Sequence, residues 1–171
     1  RRLVAALSAL AACAAGALAV GGSGAQATGR ADWVATWAMG PAGAGAGSSA
    51  LGFTDQSVRM PVRVSVGGEA IRFRLNATFS TQNVTLGHAT VAEPETDTPE
   101  LTDVEATSVR ELTFNGGDAS VLIPKGGQVL SDPLWMNVPA RADLVITPYF
   151  PVATGPATWH LTARTQTFVG A

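Results

Sequence analysis

The chain has 171 residues with 11 basic and 13 acidic side chains, enough for one domain, or one domain plus processing segments. Residues 1–27 read as a separate leader that takes Arg1 and Arg2 with it, leaving 9 basic against 13 acidic residues and a net charge of −4. That balance argues against nucleic acid or anionic lipid as the partner.

The leader has a basic start, an apolar run from Leu3 to Val20 and a small-residue ending at Ala25-Gln26-Ala27. This is the order of a secretory signal peptide, and the protein is expected to be secreted by a bacterium, with no stable membrane insertion after cleavage. The Ala- and Gly-rich run partitions weakly into hydrocarbon, which argues against a membrane anchor. Arg1-Arg2 also fits a twin-arginine remnant. An alternative is lipid anchoring through Cys13, which ends the "LAAC" segment and is the single cysteine of the chain. With residues 1–27 gone, no disulfide is available and packing alone must hold the domain.

Residues 28–55 combine a short aromatic strand over Trp33–Met39 with a Gly/Ala/Ser-rich stretch too small in side chain to build a core. From 56 to 171 the pattern is period two. Val58, Met60, Val62, Val64 and Val66 alternate with polar residues, Gly67-Gly68 makes a turn, and Ile71, Phe73 and Leu75 alternate with Arg72, Arg74 and Asn76. This predicts a hairpin with one buried face and one wet face bearing Arg59, Arg63, Arg72 and Arg74. Pro61 places its strand at an edge or a bulge. Further strands are predicted at Val84–Ala92, Arg110–Phe114, Ser120–Ile123, Gln128–Ser131, Leu134–Val138, Asp143–Phe150 and Ala157–Val169, separated by the turns "NGGD", "PKGG", "SDP" and "TGP". The sum is an all-β fold: a jelly-roll-like sandwich of about nine or ten short strands over roughly 33–169.

The segment 92–106 holds six of the 13 acids. It lacks the Asp-x-Asp-x-Gly order of a calcium loop and reads as a solvated acidic loop. The only histidines are His88 and His160, and no Gly-x-Ser-x-Gly, Gly-Asp-Ser-Leu, His-Glu-x-x-His or phosphate-loop motif occurs. His88 lies mid-strand. His160 alternates with Trp159 and Leu161 and is expected off the core face, in a surface or domain-contact role. Neither supports a catalytic site, and two histidines without a cysteine beyond the leader argue against zinc. No catalytic, metal or cofactor residue is assigned. Of the four tryptophans, Trp135 and Trp159 are candidate sugar platforms, while core packing is the ordinary use of Trp, and Trp33 and Trp37 share one side of their strand. The sequons at Asn76 and Asn83 read as accidental in a bacterial protein.

The blocks "WVATWAMGP", "QSVRMPVRVSVGGEAIRFRLNATFSTQNVTLGHATVA" and "SDPLWMNVPARADLVITPYFPVATGPATWHLTARTQTFV" resemble the N-terminal region of secreted actinobacterial SGNH/GDSL-type esterases. The resemblance runs from about Trp33 to Val169. It implies that an α/β/α hydrolase domain follows the sandwich and carries the serine, oxyanion donors and Asp-x-x-His of the family. It also implies serine-dependent ester hydrolysis without metal or organic cofactor, on acetylated polysaccharide, lipid or small esters, with this chain an accessory domain inactive by itself. Arg72 and Arg74 on the wet face, and His160 and Arg164 on the last strand, are the candidate contacts to the hydrolase domain in cis. The alternative is a stand-alone secreted carbohydrate-binding module.

Overall fold

The computed structural model describes residues 32–95, 103–160 and 165–170. The leader with Cys13, the acids Asp97 and Glu100, and Arg164 lie outside the described residues. The chain divides into two compact units, Arg1–Trp33 and Val34–Ala171. Of the first, only Asp32 and Trp33 are described, and both are exposed.

Among its described residues, the second unit is all-β apart from a one-turn helix α1 (Ser48–Leu51) and a 3-10 turn (Ala106–Ser108). Its strands are β1 (Gln56–Arg63), β2 (Gly68–Ile71), β3 (Arg74–Asn76), β4 (Val84–Leu86), β5 (His88–Ala92) and β6 (Arg110–Leu112). They continue with β7 (Val121–Ile123), β8 (Gln128–Leu130), β9 (Leu134–Val138), β10 (Asp143–Phe150) and β11 (Phe168–Gly170). Pairing is antiparallel and nested: β1 with β10, β2 with β9, β3 with β8, β4 with β7 and β5 with β6. A long two-stranded ribbon has been rolled up, which is the jelly-roll plan. The roll closes where β10 also pairs with β5, giving a five-stranded sheet in the order β11-β1-β10-β5-β6. The remaining three pairs form the rest of the wall.

One core lies between the layers. The five-stranded sheet contributes Val62, Val91, Leu112, Leu144 and Ile146, and the pairs contribute Ile71, Phe73, Leu86 and Val138. Phe114 and Leu86 are completely buried. Each such side chain stabilises the fold by roughly 1.5–3 kcal/mol through loss of apolar surface from water. The short strands arise at identifiable breaks. Between β4 and β5, Gly87 donates its N–H to Tyr149 O at 2.9 Å, and a Cβ there would press on the Tyr149 ring and Pro151 at about 3.0 Å. Between β8 and β9, the buried Ser131 side chain takes the Phe73 N–H at 3.0 Å and so fills a gap in the ladder.

Several sequence-based expectations change. The predicted 56–75 hairpin does not form, because β1 and β2 belong to different layers. After Arg63 the chain crosses the core instead of turning back. Val64 and Ser65 are held by Ala142 O and Thr36 O, and Gly67 passes so close to the Val138 carbonyl that a Cβ would collide with it. Two successive strands with apolar faces here close the core face to face, not side by side. Val66, at this corner, is 51% exposed instead of buried. Trp33–Met39 is extended but not a strand. Thr36 ties it to the corner: its O accepts the Ser65 N–H at 3.1 Å, and its Oγ1 accepts the Ser65 and Val66 N–H groups at 2.9 Å each. Within Ala157–Val169, Trp159 makes an isolated bridge to Ala42, and β11 occupies only the end. Pro61 lies past Arg59, where pairing with β11 stops, so its missing N–H breaks no ladder on that side. The stem of the acidic segment continues the β5–β6 pair through a Pro94–Val104 bridge, with Glu93, Asp103 and Glu105 exposed.

Candidate functional site

Alternation along β2 and β3 turns Ile71, Phe73 and Leu75 to the core and therefore Ala70, Arg72, Arg74 and Asn76 outward. Across the ribbon, Val129 packs on the core and Gln128 and Leu130 face out. Strict alternation from Leu130 would next send residue 134 outward. The register slips by one residue, however, between the Arg74–Leu130 and Ile71–Leu134 pairs. Leu134 and Met136 consequently pack on the core, and Trp135 stands outward at 73% exposure opposite Ala70. The slip falls at Ser131–Pro133, where the Ser131 side chain and a proline without N–H interrupt the ladder.

The structure thus gathers three of the residues singled out in the sequence, Trp135, Arg72 and Arg74, on one outward face. Arg72 is half-buried and its Nε donates to Ser131 O at 2.9 Å. Arg74 is exposed. Asp132, beside them, spends its carboxylate on the Gly116 and Gly117 N–H groups at 3.0 and 2.9 Å. The Gly116 N–H foremost, with Thr113, Gly117 and the Arg72 charge, holds its carboxyl below the usual carboxylate range against an opposing desolvation. Arg59 and Arg63 belong to β1 in the other layer, so the four arginines do not make the single wet face that a hairpin would have given. Arg63 instead reaches Arg141 O at 3.1 Å and lies 3.9 Å from Asp143.

Trp159 has different surroundings. It exchanges backbone hydrogen bonds with Ala42 at 2.6 and 3.1 Å, and its ring lies where a Cβ on Gly45 would have to be. The Gly/Ala stretch, expected to contribute nothing to packing, is what covers this ring, because only glycine allows so close an approach. The indole Nε1 is buried without a hydrogen-bond partner, as is His160 Nδ1. His160 is half-buried and meets the edge of Trp37 at 6.4 Å between ring centres, which corrects its expected surface placement. Trp37 is itself 45% exposed.

One cluster was not singled out from the sequence. Tyr149, the single tyrosine, donates its hydroxyl to Asp55 Oδ1 at 2.6 Å and tilts against the His88 ring at 5.0 Å. The hydrogen bond to Asp55, then desolvation and the Asp55 charge, raise the phenol above its ordinary value. The group is a held proton donor, not an activated nucleophile or base. No local motif announces it, since Asp55 and Tyr149 meet only through the β1–β10 pairing. A hollow of about 320 Å³ near α1, lined by Leu51, Phe53, Gln56 and Val169 among others, contains no titratable side chain. Among the described residues, no group of three or more His, Cys, Asp or Glu is placed to hold a metal ion, and no helix is long and apolar enough to cross a membrane.

The outward face carries an aromatic ring, two guanidinium groups and the exposed side-chain amides of Asn76, Gln128 and Asn137. No protein-family model matches the chain, and no curated protein matches it.

Proposed function

We propose that this chain is the accessory β-sandwich domain of a secreted SGNH/GDSL-type esterase, a serine-dependent acyl-ester hydrolase whose catalytic residues belong to a following domain. The reading is supported by the way the resembling blocks meet in the fold. Thr36 of the first block binds Ser65 of the second, while Trp37 of the first meets His160 of the third. Residues remote in sequence thus share one packing unit, as expected if the blocks persist together for the sake of one domain. The test is the intact mass of the protein as its host secretes it, with hydrolysis of a small acetyl ester assayed alongside. A product larger by a second domain of roughly 200 residues, carrying a Gly-Asp-Ser segment and active on the ester, is expected. A secreted product ending at Ala171 would overturn the proposal.

A second reading, a carbohydrate-binding module, is favoured by one observation: Trp135 is 73% exposed on the outward side of β9. An aromatic ring exposed to water offers a stacking surface to a sugar ring. Retention on insoluble polysaccharide that disappears with Trp135→Ala supports this reading. Loss with Trp159→Ala alone would point to a packing defect.

A further inference from the structure

We infer that the outward face of β2–β3 and β8–β9 binds an anionic polysaccharide, with Trp135 stacking on a sugar ring and Arg72 and Arg74 taking the carboxylates of neighbouring units. The inference rests on the carbohydrate-binding reading above and adds the charge of the ligand and the residues that read it. It applies equally to a free module and to an accessory domain tethering an esterase to its substrate.

Geometry supplies the first argument. Ala70 is directly opposite Trp135, and Arg72 follows two residues on, in the break between β2 and β3, on the same outward side. Arg74 lies one more pleat repeat along, roughly 7 Å at 3.3–3.4 Å per residue. The ring and the two guanidiniums therefore form a row along the ribbon, a shape suited to a linear polymer and not to a compact ligand. Asn76 and Gln128 extend the row as an opposed pair. Asn76 Oδ1 already accepts the Thr78 N–H at 2.7 Å, which turns its amide NH2 into the group left for a sugar hydroxyl or ring oxygen.

Charge supplies the second. Guanidinium groups bind carboxylates through paired N–H donors in a fixed plane. Arg72 is oriented by Ser131 O, so part of its ordering is already done before a ligand arrives. Asp132 beside them is held by Gly116 and Gly117 and also feels the Arg72 charge, so the exposed Arg74 is the guanidinium most open to a ligand's carboxylate. The chain as a whole is acidic, with formal net charge −2. A densely charged nucleic acid therefore meets net repulsion from the chain as a whole.

The experiment is affinity electrophoresis of the secreted protein in gels containing polygalacturonate, the same polymer with its carboxyls methyl-esterified, or a neutral β-glucan. The expected result is retardation by polygalacturonate, weakened about tenfold by esterification and comparably by Arg74→Glu or Trp135→Ala. Retardation should fall with added salt and be unaffected by Arg63→Glu on the opposite layer. Thermal melts of each variant confirm that it folds, and Arg74→Gln serves if the charge reversal does not. Equal retardation by esterified and free polymer, indifferent to Arg74, would overturn the anionic inference and leave carbohydrate binding standing. Damage by Arg63→Glu as large as by Arg74→Glu would also overturn it, since binding would then follow overall charge. No retardation in any gel would end both readings.

Discussion

Trp135 and Trp159 are the same residue in the sequence and opposite cases in the fold, and replacing each by alanine tests that contrast. Trp135 hides only about a quarter of a side chain of roughly 250 Å². At about 25 cal/mol per Å², the area lost on truncation is worth about 1.5 kcal/mol, which is an upper bound because the unfolded chain also buries some surface. In a domain of this size that lowers the melting temperature by no more than about 5 °C. Trp159 seats its ring against Gly45 and is half-buried. Complete removal of a buried aromatic costs about 3–5 kcal/mol, so this partly covered one is expected to cost about 2–3 kcal/mol. Part of the original ring's benefit is already offset by its buried, unpartnered Nε1, a penalty of about 1–3 kcal/mol. Trp159→Phe keeps most of the ring and deletes the N–H, and is expected to be neutral or stabilising. Urea unfolding followed by far-ultraviolet circular dichroism, with m-values compared to ensure the same transition, reads all three variants. Greater destabilisation by Trp135→Ala than by Trp159→Ala would refute the reasoning about burial. A Trp159→Phe variant as unstable as Trp159→Ala would refute the claim that the indole N–H is unpaired.

Two pH effects and one backbone effect can be checked in the same way. Asp132 has a lowered carboxyl pKa in the fold, so the stability it contributes is present above the unfolded value of about 3.9 and is lost as pH falls through the folded one. The difference in unfolding midpoint between wild type and Asp132→Asn should therefore be widest near neutrality and close in acid, and a pH-independent difference would contradict the assignment. Tyr149 is raised, so its contribution holds below the unfolded value of about 10 and is lost as pH rises through the folded one. Because it is the single tyrosine, its tyrosinate absorbance can be titrated directly, and Asp55→Asn should bring the midpoint down. Gly67→Ala should destabilise by more than the roughly 0.5 kcal/mol usual for a surface change, since its Cβ meets the Val138 backbone, and an unaltered melting temperature would show that the corner can shift.

The strands and turns were legible locally because their signals are local. Ile71, Phe73 and Leu75 alternate with polar neighbours over a few residues, and the β9 and β10 bounds coincide with the predicted Leu134–Val138 and Asp143–Phe150. The "NGGD" turn forms as read, with Asp118 N donating to Phe114 O at 2.7 Å. All-β character and most of the buried residues follow from that alternation, Val66 excepted. Which strand lies beside which does not, because apolar alternation is satisfied equally by a hairpin and by two strands facing across a core. Closing the core chose the second, and that separated Arg59 and Arg63 from Arg72 and Arg74. The candidate site depended on the tertiary structure for the same reason. Sequence reading put Arg72 and Arg74 on one wet face and marked Trp135 separately, but a single-residue slip at Ser131–Pro133 decides whether Trp135 or Leu134 faces water. A side-chain period of two makes every such slip an inversion of faces, and only the partner strand, more than fifty residues away, sets the register.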